Sequence, residues 1–423
     1  MDIKTACIHA GYEAANGEPR ALPINLSTTF HYESTDEVAH LFDRPVDGHI
    51  YSRISNPTGS AVEEKIAALE GGVGAMLTTS GQMANLVAIM NLAAAGDHVV
   101  SSAAIYGGTV NLLAVTLKRF GIECTFVSPR ATVEEIAAAI RPNTKLVFGE
   151  SVANPALAVL DFESYATAAH AAGLPLVVDN TFPTPVLCRP FEWGVDVVTH
   201  STTKYMDGHA MTVGGVVVDS GNFDWASSDK FPDFNEPDES YHGVVYSRDF
   251  GRAAFIVKAR YQLMRDLGVY PPATNAFILN ETLETLPLRM RQHVESAQRV
   301  AEWLEARPEV ASVNYPGLAS SPDHELAEKY LPKGSSGVIS FVVAGGRDKA
   351  AALCDHFGMI AIEVHVADSR SCCLHPASAT HRQLTDEQLV ACGIEPGMIR
   401  LSCGLEDAGD IIADLDQAFA AIA

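Results

Sequence analysis

The chain has 423 residues, of which 47% are hydrophobic and 19% charged, a globular composition long enough for two or three domains. With 29 Lys and Arg against 52 Asp and Glu, the formal net charge of −23 argues against nucleic acid or anionic membrane as the main partner, because both need a basic surface. Met1 to Arg20 lacks the apolar run of a secretory signal, Leu86 to Ala95 is too short to span a bilayer, and the eight cysteines have no framework spacing, so the chain reads as cytoplasmic.

Residues 1 to about 58 are polar and irregular, punctuated by Gly11, Gly17, Pro19, Pro23, Gly48 and Pro57, the texture of an arm rather than a core. Ala61 to Leu69 has helical spacing and stops at Gly71-Gly72. Strand-like runs follow at Ala75–Thr78, His98–Ser101, Cys124–Val127, Lys145–Phe148, Leu176–Val178 and Val195–Thr199. Between them lie helical stretches at Gln82–Leu92, Thr109–Phe120, Val133–Ile140 and Phe162–Ala171. Alternating strands and helices predict an α/β fold with a mostly parallel sheet covered on both faces. Asn222 to Tyr246 is an insertion with Phe223, Trp225, Phe231, Phe234 and Tyr241 among acidic and small residues. It is either a surface loop packed by its own aromatics or an active-site lid or subunit contact. After the helical stretch Ala259–Leu267, Pro271-Pro272 breaks the pattern. Asn275–Ala306 reads as helix, Val338–Val343 as strand and Asp407–Ile422 as an amphipathic closing helix, hence a smaller C-terminal α/β domain. The expected division is 1–58, 59–268 and 269–423.

Ligands of open α/β sheets sit beyond the carboxyl ends of the strands. The residues there are Ser80-Gly81-Gln82, Tyr106-Gly107-Gly108, Glu150 to Asn154, Asp179-Asn180 and Ser201-Thr202-Thr203-Lys204. These are the parts a pyridoxal phosphate (PLP) site needs. A lysine amine, Lys204, bonds the aldehyde, and burial lowers such an amine's pKa. A carboxylate, Asp179, keeps the pyridine nitrogen protonated. N–H groups at the start of the Gln82–Leu92 helix suit the phosphate, with the Ser201 and Thr203 hydroxyls beside them. Tyr106 offers a face to stack on the ring. Each residue alone has a plain structural explanation, such as a turn, a packed aromatic or an exposed lysine; the set in this order points to a site.

The sequence resembles the Cys/Met-metabolism PLP-dependent enzymes and, within them, the O-acetylhomoserine sulfhydrylases. The resemblance rests on Tyr51-Ser-Arg-Ile-Ser-Asn-Pro-Thr58, Ala68-Leu-Glu-Gly-Gly72, Ser80-Gly-Gln82, Tyr106-Gly-Gly-Thr109, Val178-Asp-Asn-Thr-Phe182 and His200-Ser-Thr-Thr-Lys204. Further on come His375-Pro-Ala-Ser378, Thr380-His381 and Ile399-Arg-Leu-Ser402, so it spans nearly the whole chain. It implies the fold-type-I (aspartate aminotransferase-like) architecture of PLP transferases. Lys204 would hold the cofactor and take the Cα proton, Asp179 would face the pyridinium and Tyr106 would stack on the ring. Ser80, Gly81, Gln82, Ser201 and Thr203 would surround the phosphate, with Asn154 near the ring hydroxyl. Tyr51 and Arg53 would reach the phosphate of a neighbouring subunit, implying dimers that pair into a homotetramer. Arg400 would grip the substrate α-carboxylate, a task suited to guanidinium geometry.

The implied reaction replaces the γ-substituent of O-acetyl-L-homoserine with sulfide, giving homocysteine, or with methanethiol, giving methionine. Methionine γ-lyases of the family carry a cysteine where Gly108 stands, and the Asn222–Tyr246 insertion resembles that of the sulfhydrylases. Cystathionine γ-synthase and γ-lyase activities are the enzymatic alternatives, and a PLP-fold scaffold or regulator the non-enzymatic one. Glu363-Val-His-Val-Ala-Asp368 departs from the family pattern: His365, expected near the substrate carboxylate, replaces Ser or Asn and leaves O-acetylserine open as a second substrate. His365, Cys372, Cys373, His375 and His381 lack zinc-ligand spacing, so no metal is expected and the cysteines read as buried strand residues.

Overall fold

The computed structural model describes residues 1–44, 47–383, 385–391 and 394–423. The larger sheet contains β1 (Gly74–Thr78), β2 (His98–Ser102), β3 (Glu123–Val127), β4 (Thr144–Glu150), β5 (Leu176–Asp179), β6 (Val197–His200) and β7 (Gly215–Asp219). Their order is β1-β7-β6-β5-β4-β2-β3. Strands β2 to β6 pair in parallel, while β7 runs antiparallel to both β1 and β6.

Burial on both faces explains why these strands are continuous apolar runs. Alternate residues enter opposite cores. Val147, Val178, Val198, Val216 and Val218 pack on one face. Leu146, Phe148, Val177, Val197 and Val217 pack on the other. Helix Pro57–Glu70 is capped by the Asn56 side chain, starting ahead of the expected Ala61, and ends at left-handed Gly71, where the sequence predicts its stop.

The smaller sheet contains β8 (Val310–Asn314), β9 (Val338–Val343), β10 (Ala361–Ile362), β11 (Cys372–Leu374) and β12 (Met398–Ser402), in the order β10-β11-β12-β9-β8. Helices Gly346–Asp355 and Ala408–Ala421 share its apolar core. The long helix Leu286–Glu305 joins the two units. Its buried Arg289 donates to the carbonyls of Tyr205 (2.6 Å) and Met206 (3.2 Å), just after Lys204.

Two expectations need correction. The first 58 residues are not wholly irregular: helices form at Ile3–His9 and Thr35–Asp43, because Asp2 and Ser34 cap their first turns. Thr109–Phe120 is not one regular helix but an α-turn to Asn111, a π-helical turn to Thr116 and a 3₁₀ turn to Phe120. In the insertion the aromatics pack on one another, as its first reading has it, and also on the large core. Trp225, Phe231, Phe234 and Tyr241 are buried against Phe255 and Tyr261 in the large core, and none of them lines the cavity described below.

Candidate active site

The register of the larger sheet sets polar residues side by side. Glu150 ends β4 opposite Asp179 on β5, and Asp179 lies opposite Thr199 on β6. Beyond them opens a cavity of about 250 Å³. Ser80, Gly81, Gln82, Asp179, Ser201, Thr203 and Lys204 line it from the large sheet, Tyr106 and Asn154 from its loops, and Arg400 from β12.

Lys204 follows the turn after β6 and is fixed by its neighbour. Tyr205 is fully buried, its hydroxyl accepting from Gly337 N–H at 2.8 Å and its carbonyl from Arg289. The Lys204 amine lies 3.3 Å from His365 Nδ1. Burial, then the Arg400 charge, bring its pKa down to about 8. Asp179 accepts from Thr181 N–H (3.1 Å), Thr181 Oγ1 (2.5 Å) and Asn85 Nδ2 (3.2 Å). Asn85 is itself held by Thr109 and Thr199, so the carboxylate is fixed by a buried polar network.

The helix Gly81–Met90 starts at the cavity wall, with Ser80 Oγ accepting from Met83 N–H. The first-turn N–H groups of Gly81 and Gln82 therefore have no acceptor within the helix and are available to an anion. A Cβ on Gly81 would stand 2.7 Å from Ser201 Cα, so glycine is needed for the two loops to close around this space. Helix N-terminus, Ser201 hydroxyl, Asp179 carboxylate and Lys204 amine together fit PLP: anion donors at one end, a carboxylate deep inside and a low-pKa amine at the side.

Tyr106 precedes the short helix Gly107–Asn111, and its ring lies over Gly108. A Cβ at Gly108 would fall 2.5 Å from Tyr106 Cε1, so any side chain there would displace the ring. Arg400 is buried; it donates to Asn154 Oδ1 (3.2 Å) and to the carbonyls of Val364 (3.2 Å) and His365 (3.0 Å). Among the described residues no carboxylate pairs with it, which leaves a buried positive charge facing the cavity.

Not every predicted residue converges here. Tyr51 and Arg53 are absent from the cavity wall. The Arg53 guanidinium donates to the Arg265 carbonyl and lies 5.3 Å from the Tyr51 ring. Thr203 Oγ1 lines the cavity but is bonded to Gly214. His365 contacts Lys204 through its ring, while only its carbonyl meets Arg400. Of the residues weighed as zinc ligands, His375 bonds Ser378 and the Pro396 carbonyl, and Cys372 and Cys373 are buried on β11.

Asn85, Thr181 and Glu150 carry weight that the sequence reading did not give them. Glu150 accepts from Tyr106 N–H (2.5 Å) and Asn154 N–H (3.2 Å), tying both loops to β4. Burial, then the Asp179 charge, push its carboxyl well above the usual range. A polar Asn85 amid Met83, Ala84, Leu86 and Val87 was the visible signal for that residue.

Comparison with known proteins gives the chain's relatives. The model of the Cys/Met metabolism PLP-dependent enzyme family matches residues 4–420. A homocysteine synthase of Schizosaccharomyces pombe is 44% identical over 98% of this chain and 97% of its own. An O-acetyl-L-homoserine sulfhydrylase of Corynebacterium glutamicum is 43% identical over 99% of this chain and 97% of its own. A Campylobacter jejuni crystal structure, assigned as an O-acetylhomoserine (thiol)-lyase and holding N′-pyridoxyl-lysine-5′-monophosphate, superposes with a TM-score of 0.95. It is 37% identical and covers 99% of this chain and 100% of that one.

Proposed function

The chain belongs to the Cys/Met metabolism PLP-dependent enzyme family, and from that membership we propose that it exchanges the acetoxy group of O-acetyl-L-homoserine for sulfide, yielding L-homocysteine and acetate. Methanethiol in place of sulfide yields methionine. The observation that carries the reading is the meeting of the Lys204 amine, the Asp179 carboxylate and the unpaired Arg400 guanidinium in one cavity.

When bound, PLP supplies an electron sink for the charge released at the substrate's Cα. Lys204 holds it and then removes the Cα proton; an amine near 8 reaches its neutral, basic form far more readily than an ordinary lysine. Asp179 keeps the ring nitrogen's proton in place, and the Thr181 and Asn85 hydrogen bonds keep that carboxylate oriented. The Ser80–Gln82 turn and Ser201 would hold the phosphate, Asn154 would meet the ring hydroxyl and Tyr106 would stack on the ring. Arg400 receives the α-carboxylate, which orients Cα toward the lysine.

We further propose that the enzyme works as a cytoplasmic homotetramer of dimers. In that assembly residues 1–58 serve as an arm and Tyr51 and Arg53 complete the neighbour's phosphate site, beside a cofactor domain at 59–268 and a substrate domain at 269–423. Exposed apolar side chains on the arm, Ile24, Leu26, Phe42 and Tyr51, support this, since such a surface needs a cover. No helix among the described residues is long and apolar enough to cross a membrane.

The test is product formation from O-acetylhomoserine with and without sulfide, beside O-succinylhomoserine and O-acetylserine. Sulfide-dependent homocysteine is expected, and Lys204→Ala should lower it by roughly 10⁴-fold or more. Oxo-acid release without sulfide would move the enzyme to a lyase.

A further inference from the structure

Among the described residues His365 is the one titratable side chain whose ring touches the Lys204 amine, and no step above uses it. It lies between β10 and β11 on a segment pinned from three sides. Its carbonyl accepts from Arg400 Nη2 at 3.0 Å and from Cys372 Sγ at 3.5 Å, and Ala367 N–H donates to Ser402 Oγ at 2.8 Å. The imidazole is therefore held in place. Its Nδ1 faces the lysine at 3.3 Å, and its buried Nε2 has no hydrogen-bond partner but lies 3.7 Å from Oδ2 of the buried Asp368.

That arrangement selects one tautomer. A carboxylate beside Nε2 favours the proton on that nitrogen, which leaves the Nδ1 lone pair directed at Lys204. We propose that His365 is a positioning residue for Lys204: its unprotonated Nδ1 accepts a hydrogen bond from the amine and turns the nitrogen lone pair toward the cavity, while Asp368 fixes the ring from behind. This rests on Lys204 being the base of the reaction above.

The surroundings keep the ring neutral. Burial, then the Lys204 charge, lower the His365 pKa; Asp368 and Asp207 oppose the shift and Arg400 adds to it. When the pH falls through that lowered value, Nδ1 gains a proton, can no longer accept, and sets a second cation against the lysine. Turnover should then fall on the acid side, below the ordinary histidine range near about 6.5.

Two measurements test this. In the cofactor-free protein, hydrogen–deuterium exchange at histidine C2, read by mass spectrometry, gives the titration of His365 itself. Lys204→Met should raise it toward the ordinary value, and an unchanged titration overturns the contact. In the holoenzyme, His365→Ala should lower kcat by about 10- to 100-fold with little change in KM, as expected for a misaimed base. His365→Asn, which restores a non-titrating acceptor, should recover most of that loss and remove the acid limb. An acid limb that survives in His365→Asn overturns the proposal. Absence of homocysteine from the wild type would defeat the activity while leaving the titration result intact.

Discussion

The two sheets present charge to the cavity in opposite ways. On the larger sheet, Asp179 sits at a strand end with hydrogen bonds from Thr181 and Asn85, so its charge is satisfied before any ligand arrives. On the smaller sheet, Arg400 sits within β12 and, among the described residues, meets two carbonyls and one amide oxygen but no carboxylate. One side is prebuilt, while the other keeps a buried charge whose best partner is a ligand carboxylate. The prebuilt side suits a resident cofactor and the unsatisfied side suits a substrate that comes and goes, because leaving such a charge unpaired is costly and pairing it is correspondingly favourable.

Substitutions on each side should separate these roles. Asp179→Ala breaks the prebuilt side and should cost about 10²–10³-fold in kcat, comparable to removing one preorganised charge stabiliser, with weaker cofactor retention seen by absorbance. Arg400→Lys keeps a charge but loses the planar fork, so KM should rise by about 10- to 100-fold while the cofactor band stays intact. A cofactor defect in that variant would erase the division between the two sides. Ser80→Ala removes the cap of the Gly81–Met90 helix, worth about 1 kcal/mol, at the turn that holds the phosphate, and should loosen cofactor binding by about five-fold or more with KM unchanged.

Legibility in the sequence follows the same division. The prebuilt side was readable because β4, β5 and β6 are apolar runs that stop at polar residues, so Asp179 and Lys204 announce themselves at strand ends. Arg400 was nameable only through family resemblance, since an arginine inside a strand otherwise reads as a surface ion pair. Glu150 was seen at its strand end but given no role, because its function lies in two loops that meet only in three dimensions. The strand β7 was missed altogether. Its Gly215-Val-Val-Val-Asp219 run is short and apolar, but its partners lie far away in the chain, and no local period shows that β7 separates β1 from β6.

That inserted strand governs when the site can exist during synthesis. In the sheet β1 touches only β7, so the helix start at Ser80–Gln82 has no fixed place beside Ser201 until residues 215–219 have pleated in between. The carboxylate and the lysine need only the β5–β6 pair to come together, whereas the glycine turn needs β7 as well. Closing the glycine turn against Ser201 thus depends on a contact between segments more than a hundred residues apart rather than on local structure.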